Sequence, residues 1–229
     1  MRTIGLIGGM SWESSALYYQ IMNREVGRRL GDLHSAQICL TSLDFQDIAD
    51  RQKAGDWDGM SEILCKAARG LEASGAQCLL IGTNTMHKLA PQVQAATHIP
   101  LLHIAEVTAD AIARQGLKTV GLMGTKFTME QPFYADKLAE RGIKTLVPEA
   151  DERAEIHRII FEELCRGQFS GASRATLCSH IDGLKARGAQ GVVLGCTELP
   201  LIIRQQDAFL PVFDTTELHA LAAVDFALG

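Results

Sequence analysis

Hydrophobic positions along the chain follow two alternating patterns, short continuous runs and longer stretches with helical spacing. Residues 3–9 form an apolar run that closes on Gly8 and Gly9. Residues 37–43, 77–81 and 100–104 are further runs of strand length. Between them, residues 12–30 present Leu17, Ile21, Val26 and Leu30 at helical spacing. Residues 59–74 read as a second helix with Gly75 as its stop, and a third follows residue 104. Strands that alternate with helices predict parallel sheets covered on both faces.

The pattern repeats along the chain. Thr3-Ile4-Gly5-Leu6-Ile7-Gly8-Gly9 and Thr119-Val120-Gly121-Leu122-Met123-Gly124-Thr125 share four of seven positions. Residues 71–83 and 184–196 share six of thirteen, including Leu71/Leu184, Gly75/Gly188 and Gln77/Gln190. The two offsets, 116 and 113 residues, agree. Generic strand–helix composition explains one such match, whereas two in the same order predict an internal duplication. The expected fold is α/β, with two pseudo-symmetric, Rossmann-like lobes. Residues 1–100 with 213–229 form the first lobe and residues 101–212 the second. Ligands of open parallel sheets bind beyond the C-terminal strand ends. The loops at 82–85 and 195–198 are therefore expected to face each other across a cleft, with Thr83 and Cys196 in equivalent positions.

Composition narrows the partners. At 229 residues, with 47% hydrophobic and 21% charged positions, the chain can bury a core without disulfides or metals. No apolar run approaches the roughly 18 residues of a membrane span. Met1-Arg2-Thr3 leads straight into a strand, a start unlike a signal peptide, so a cytoplasmic protein is expected. The net charge is −5 and no Lys/Arg block stands out, which argues against nucleic acid or an anionic membrane as partner. The six cysteines include no C-x-x-C pair and are expected reduced.

Among the cysteines, Cys196 has the position for chemistry, since it follows an apolar strand and a glycine. A thiol there is expected to be partly exposed near positive amide ends, with a lowered pKa. The competing reading is an inert buried cysteine. A nucleophilic thiol would want a histidine base. His87, four residues after Thr83, could supply it, while His34, His98, His103, His157, His180 and His219 show no pairing in sequence. No G-x-S-x-G elbow, H-E-x-x-H or C-x-x-C is present, which weakens hydrolase and metal readings. Residues 5–9 lack the G-x-G-x-x-G spacing, so Asp44 alone does not make a dinucleotide site.

Gly82-Thr83-Asn84-Thr85-Met86-His87 and Gly195-Cys196-Thr197-Glu198, taken together, resemble the paired loops of the aspartate/glutamate racemase family. The resemblance runs from Gly5-Leu6-Ile7-Gly8-Gly9-Met10-Ser11 to Pro211-Val212-Phe213-Asp214 and is greatest to the bacterial broad-specificity or L-aspartate/glutamate racemases. It implies two pseudo-symmetric α/β lobes, no pyridoxal phosphate or metal, and a homodimer. It also implies two facing proton-transfer groups, one removing the Cα proton and the other returning it to the opposite face. On this resemblance Cys196 and Thr83 are the catalytic pair, and Met10, Asn84, Thr85, Thr128, Thr197 and Glu198 line the substrate pocket. For the Ser/Thr/Asn positions among these, ordinary loop capping is the competing role.

Two departures from the family pattern matter. Thr83 stands where the first-loop cysteine is usual, and a threonine hydroxyl is far less acidic than a thiol of pKa about 8.5. Cys165 stands where archaeal aspartate racemases carry a lysine for the distal carboxylate. Arg51 and Gln52 are the candidates for that role here. The expected reaction is cofactor-independent racemisation of aspartate or glutamate, biased to the L substrate. A related dicarboxylate isomerase or decarboxylase using Cys196, and a non-catalytic amino-acid-binding protein, are the alternatives.

Overall fold

The computed structural model describes all of residues 1–229. It divides into two compact units, residues 1–104 with 219–229 and residues 105–218.

The first unit holds a parallel three-stranded sheet of β1 (Ile4–Gly8), β2 (Ile38–Ser42) and β3 (Cys78–Ile81), in the order β2-β1-β3. Helix Trp12–Leu30 buries Tyr18, Met22 and Val26, spaced four apart on one face, and places Arg28 and Arg29 in its last turn, where they favour the helix dipole. Helix Phe45–Ala54 begins where Asp44 accepts the Gln46 N–H, and ends at Gly55 in the left-handed conformation. Helix Trp57–Ala73 buries Met60, Leu64, Ala67, Ala68 and Leu71. It starts two residues before the expected position 59 because Asp56 accepts the Gly59 N–H and caps it.

The second unit holds β4 (Thr119–Gly124), β5 (Lys144–Leu146), β6 (Val192–Gly195) and β7 (Val212–Asp214), all parallel, in the order β5-β4-β6-β7. The order β5-β4-β6 repeats β2-β1-β3, as the duplicated sequence predicts. The second unit runs on to Leu218 rather than stopping at 212, because β7 pairs with β6. The strand expected at 100–104 is reduced to one bridge between Leu79 and Leu101. Pro100 has no N–H to give, although its carbonyl accepts the Leu79 N–H as Pro211 accepts that of Val192. A helix, Ile104–Arg114, then begins before a second ladder step forms.

The glycines shared by the repeats have a packing reason. A Cβ at Gly5 would sit 2.9 Å from Ala76 Cβ, and one at Gly121 would sit 2.8 Å from Leu184 Cδ1. Both central strands therefore lie too close to the covering layer for a side chain at that position.

Candidate active site

In the second unit, β4 and β6 end on facing glycines. A Cβ at Gly124 would lie 2.6 Å from the Gly195 carbonyl oxygen, and one at Gly195 would lie 2.7 Å from Leu122 Cδ1. Thr128 closes over this pair, 1% exposed, on the short helix Lys126–Glu130 whose first turn Thr125 caps. Cys196 follows directly. Its Sγ donates to Glu198 Oε2 at 2.9 Å, and Thr197 Oγ1 donates to the same oxygen at 3.1 Å. Cys196, Thr197 and Glu198 are all buried. The turn Leu199–Leu201 then fixes the loop, with the Leu199 N–H donating to the Cys196 carbonyl and the Leu201 N–H to that of Glu198.

This geometry overturns the expectation of an exposed, acidic thiol. Burial pushes the Cys196 thiol well above the ordinary cysteine value, and the carboxylate of Glu198 and the thiol of Cys165 add to the effect. Cys165, on the turn Leu164–Arg166, is itself raised by burial and by Glu198. The structure thus brings Thr128, Cys196, Thr197 and Glu198 together at one strand end. It leaves no cation at position 165.

In the first unit, Gly9 has a φ of +86°, and a Cβ there would run into the backbone of Leu43. Its N–H donates to Ser15 Oγ at 2.8 Å. Met10 is buried in the core with Ile48, Met60 and Met86, so its side chain packs rather than presents chemistry. After β3, the Gly82 N–H donates to the Ile7 carbonyl and the Thr83 N–H to that of Ile81, both at 2.8 Å. Thr83 is half-buried, while Asn84 and Thr85 are buried at the start of the turn Thr85–Leu89.

His87 is no base for a thiol. Its Nε2 accepts the Ile104 N–H at 3.1 Å, so the proton sits on Nδ1, which donates to the Thr83 carbonyl at 2.8 Å. Burial, then the neighbouring His103 and His219, hold it well below the ordinary histidine value and therefore neutral. The ring of His103 lies 4.6 Å from that of His87, and His219 lies 5.6 Å away. This cluster corrects the expectation that the other histidines are unpaired. No sequence signal joins residues 87, 103 and 219, because the chain completes a whole unit between the second and the third.

Of the two candidates for a distal carboxylate, Arg51 is engaged, pairing with Asp47 at 3.0 Å and Asp56 at 2.6 Å. Gln52 is buried in the same helix and its Nε2 has no hydrogen-bond partner. No group of three or more His, Cys, Asp or Glu side chains could hold a metal ion. No helix is long and apolar enough to cross a membrane.

Two parallel α/β sheets that share the order of three strands, each followed by a small polar loop, form the architecture of solved racemase-family structures. A profile of the Asp/Glu/hydantoin racemase family matches residues 7–223, and the chain belongs to that family. It is 48% identical to a candidate Asp/Glu racemase from Yersinia pestis, with a TM-score of 0.92 and all of both chains covered. An aspartate racemase homologue from Pyrococcus horikoshii is 35% identical over all of both chains, with a TM-score of 0.85. The broad specificity amino-acid racemase RacX of Bacillus subtilis is 24% identical over 99% of this chain and 98% of its own.

Proposed function

We propose that this protein racemises an acidic amino acid, aspartate or glutamate, without a cofactor. The observation that carries this reading is the buried Cys196 thiol hydrogen-bonded at the end of β6, with Thr83 at the duplicated position after β3. Cys196 takes the Cα proton of the L enantiomer, and Thr83 serves the opposite face. Asn84, Thr85, Thr128 and Thr197 supply the donors that hold the α-carboxylate and the charge developing on it. Gln52 takes the distal carboxylate through its unpartnered Nε2.

The pair is chemically unequal, and thermodynamics dictates where that inequality shows. Enantiomers have an equilibrium constant of one, so kcat/KM for net inversion is the same from either side. The L bias therefore belongs to exchange of the Cα proton with solvent. A proton taken by Cys196 exchanges and returns to the L face more often than Thr83 completes the inversion.

The test is incubation with L- and D-aspartate and L- and D-glutamate in D2O, with no added cofactor. Loss of the Cα proton is followed by NMR and configuration by chiral chromatography. The expected result is deuterium entering the L substrate faster than inversion occurs, and entering the D substrate no faster than inversion. Absence of incorporation from all four acids would overturn the reading.

A further inference from the structure

Glu198 lies two residues beyond Cys196 in the turn that follows β6, where its helical backbone angles bring its side chain back to the thiol. One oxygen of its buried carboxylate receives both the Cys196 S–H and the Thr197 O–H. A buried carboxylate would repel the carboxylates of an acidic amino acid, and the structure gives its Oε2 the thiol as a partner. The duplicated loop lacks the feature, since the residue equivalent to Glu198 is Thr85.

We infer that Glu198 is the proton acceptor of Cys196, so that thiol and carboxylate work as one unit. The inference rests on the proposed racemase reading and deepens it. In the resting enzyme the pair holds one proton, on sulfur. As the substrate Cα–H bond breaks, its proton goes to Sγ while the thiol proton passes to Glu198 Oε2. The carbanion keeps the electron pair, and the unit now holds two protons. Cys196 never has to stand as a free thiolate in a buried site. That reconciles the mechanism with the raised pKa of this thiol, which would leave almost no thiolate near neutral pH. Glu198 thus acts through Cys196 as a positioning residue rather than as a contact to the substrate. The other titratable group acting on Cys196 is Cys165, on the turn Leu164–Arg166, and it is neutral under the same conditions.

Two measurements test this on the full protein. The first is Cα–deuterium exchange of L-aspartate and L-glutamate by wild type and Glu198→Gln. Glutamine keeps the size and can still accept the thiol hydrogen bond, but it takes no proton. A fall in kcat of about 10²- to 10⁴-fold with little change in KM is expected. Equal kcat in the two proteins would overturn the inference while leaving the racemase reading intact.

The second needs no turnover. The alkylation rate of Cys196 by iodoacetamide is followed by mass spectrometry of its peptide from about pH 6 to about pH 8. With Glu198 taking the proton, the wild-type rate stays nearly flat, whereas in Glu198→Gln it climbs by about tenfold per pH unit with the thiolate fraction. Parallel climbing in both proteins would overturn the inference even if the wild type racemised none of the four acids. A flat wild-type profile supports it in either case.

Discussion

Tyr18 Oη lies 2.8 Å from His219 Nδ1, and this buried bond joins the Trp12–Leu30 helix to the C-terminal helix. The opposite ring nitrogen of His219 donates to the Leu102 carbonyl at 2.7 Å. Burial keeps the ring neutral near pH 7, so Nδ1 accepts the Tyr18 O–H.

Burial lowers His219 from 6.5 to about 4, which sets the sign of a pH effect. Above about pH 7 the ring is neutral whether folded or not. As pH falls below 6.5 the unfolded chain takes the proton first, and folded stability drops until about pH 4. The shift corresponds to about 3 kcal/mol. Asp214 works in the opposite direction, because burial raises it from 3.8 to about 6 and its penalty is relieved on acidification. The comparison to make is therefore wild type against His219→Gln by urea unfolding across this range. The wild type is expected to lose about 2–3 kcal/mol more than the variant between about pH 6.5 and about pH 4. Parallel curves would show that His219 titrates alike in both states.

The duplication predicts a second, unequal pair. Gln77 Oε1 accepts the Thr3 N–H at 3.1 Å, and Gln190 Oε1 accepts the Thr119 N–H at 3.1 Å. Gln190 also accepts the Lys118 N–H at 2.8 Å. With a net worth of roughly 0.5–1.5 kcal/mol per bond, Gln190→Ala should destabilise by about 1 kcal/mol more than Gln77→Ala. Denaturant midpoints of the two variants measure the difference, and equal midpoints would deny it.

The repeated placement of these glutamines in the two halves shows how far the sequence could be read. The repetition of one sheet by the other was legible because the segments of β1 and β4 share glycines and those of β3 and β6 follow the matched Gln77 and Gln190. Residues 100–104 misled because a continuous apolar run does not reveal that Pro100 withholds its N–H and that a helix takes over at Ile104. Cys196 and Glu198 could be named from the loop, but the thiol's burial depends on packing by Leu164, Leu199 and Ile202, distant or apolar neighbours that say nothing of pKa. The Arg51 pairing was in principle visible, since Asp47 and Asp56 lie four residues before and five after it.

The Gly124–Gly195 contact links packing to the site. In Gly124→Ala the new methyl would meet the Gly195 carbonyl oxygen at 2.6 Å, a backbone atom that a rotamer change cannot move. Overpacking of this kind costs about 1–3 kcal/mol. The strain falls on the residue before Cys196, so exchange activity should drop by more than the folded fraction does. Thermal unfolding beside the D2O assay separates the two, and wild-type activity per folded molecule would remove the link.

Gln52 offers a binding test. Replacing it by leucine removes a buried amide whose Nε2 has no partner, so the fold should lose little stability. If that amide holds the distal carboxylate, KM for aspartate and glutamate should rise by roughly tenfold, a loss of about 1.4 kcal/mol of binding, with a smaller change in kcat. Unchanged KM for both acids would assign Gln52 to packing.

Thr83→Cys addresses the inequality at the centre of the proposed mechanism. The position is half-buried, and its backbone is already held by the Ile81 carbonyl and by His87. A thiol of ordinary pKa about 8.5 is a far better proton carrier near neutral pH than a hydroxyl. Exchange from D-aspartate should rise, and the excess of exchange over inversion on the L side should shrink, because the second face no longer limits the reaction. The equality of kcat/KM from the two sides must persist, since no substitution changes the equilibrium between enantiomers. The new thiol also lacks a carboxylate partner, Thr85 standing where the other loop has Glu198. Its contribution should therefore grow with pH where that of Cys196 does not. The double variant Thr83→Cys, Thr85→Glu should flatten that dependence if a neighbouring carboxylate is what relieves a buried thiol of its proton. A pH profile unchanged by the second substitution would confine the effect to the geometry of the Cys196 loop.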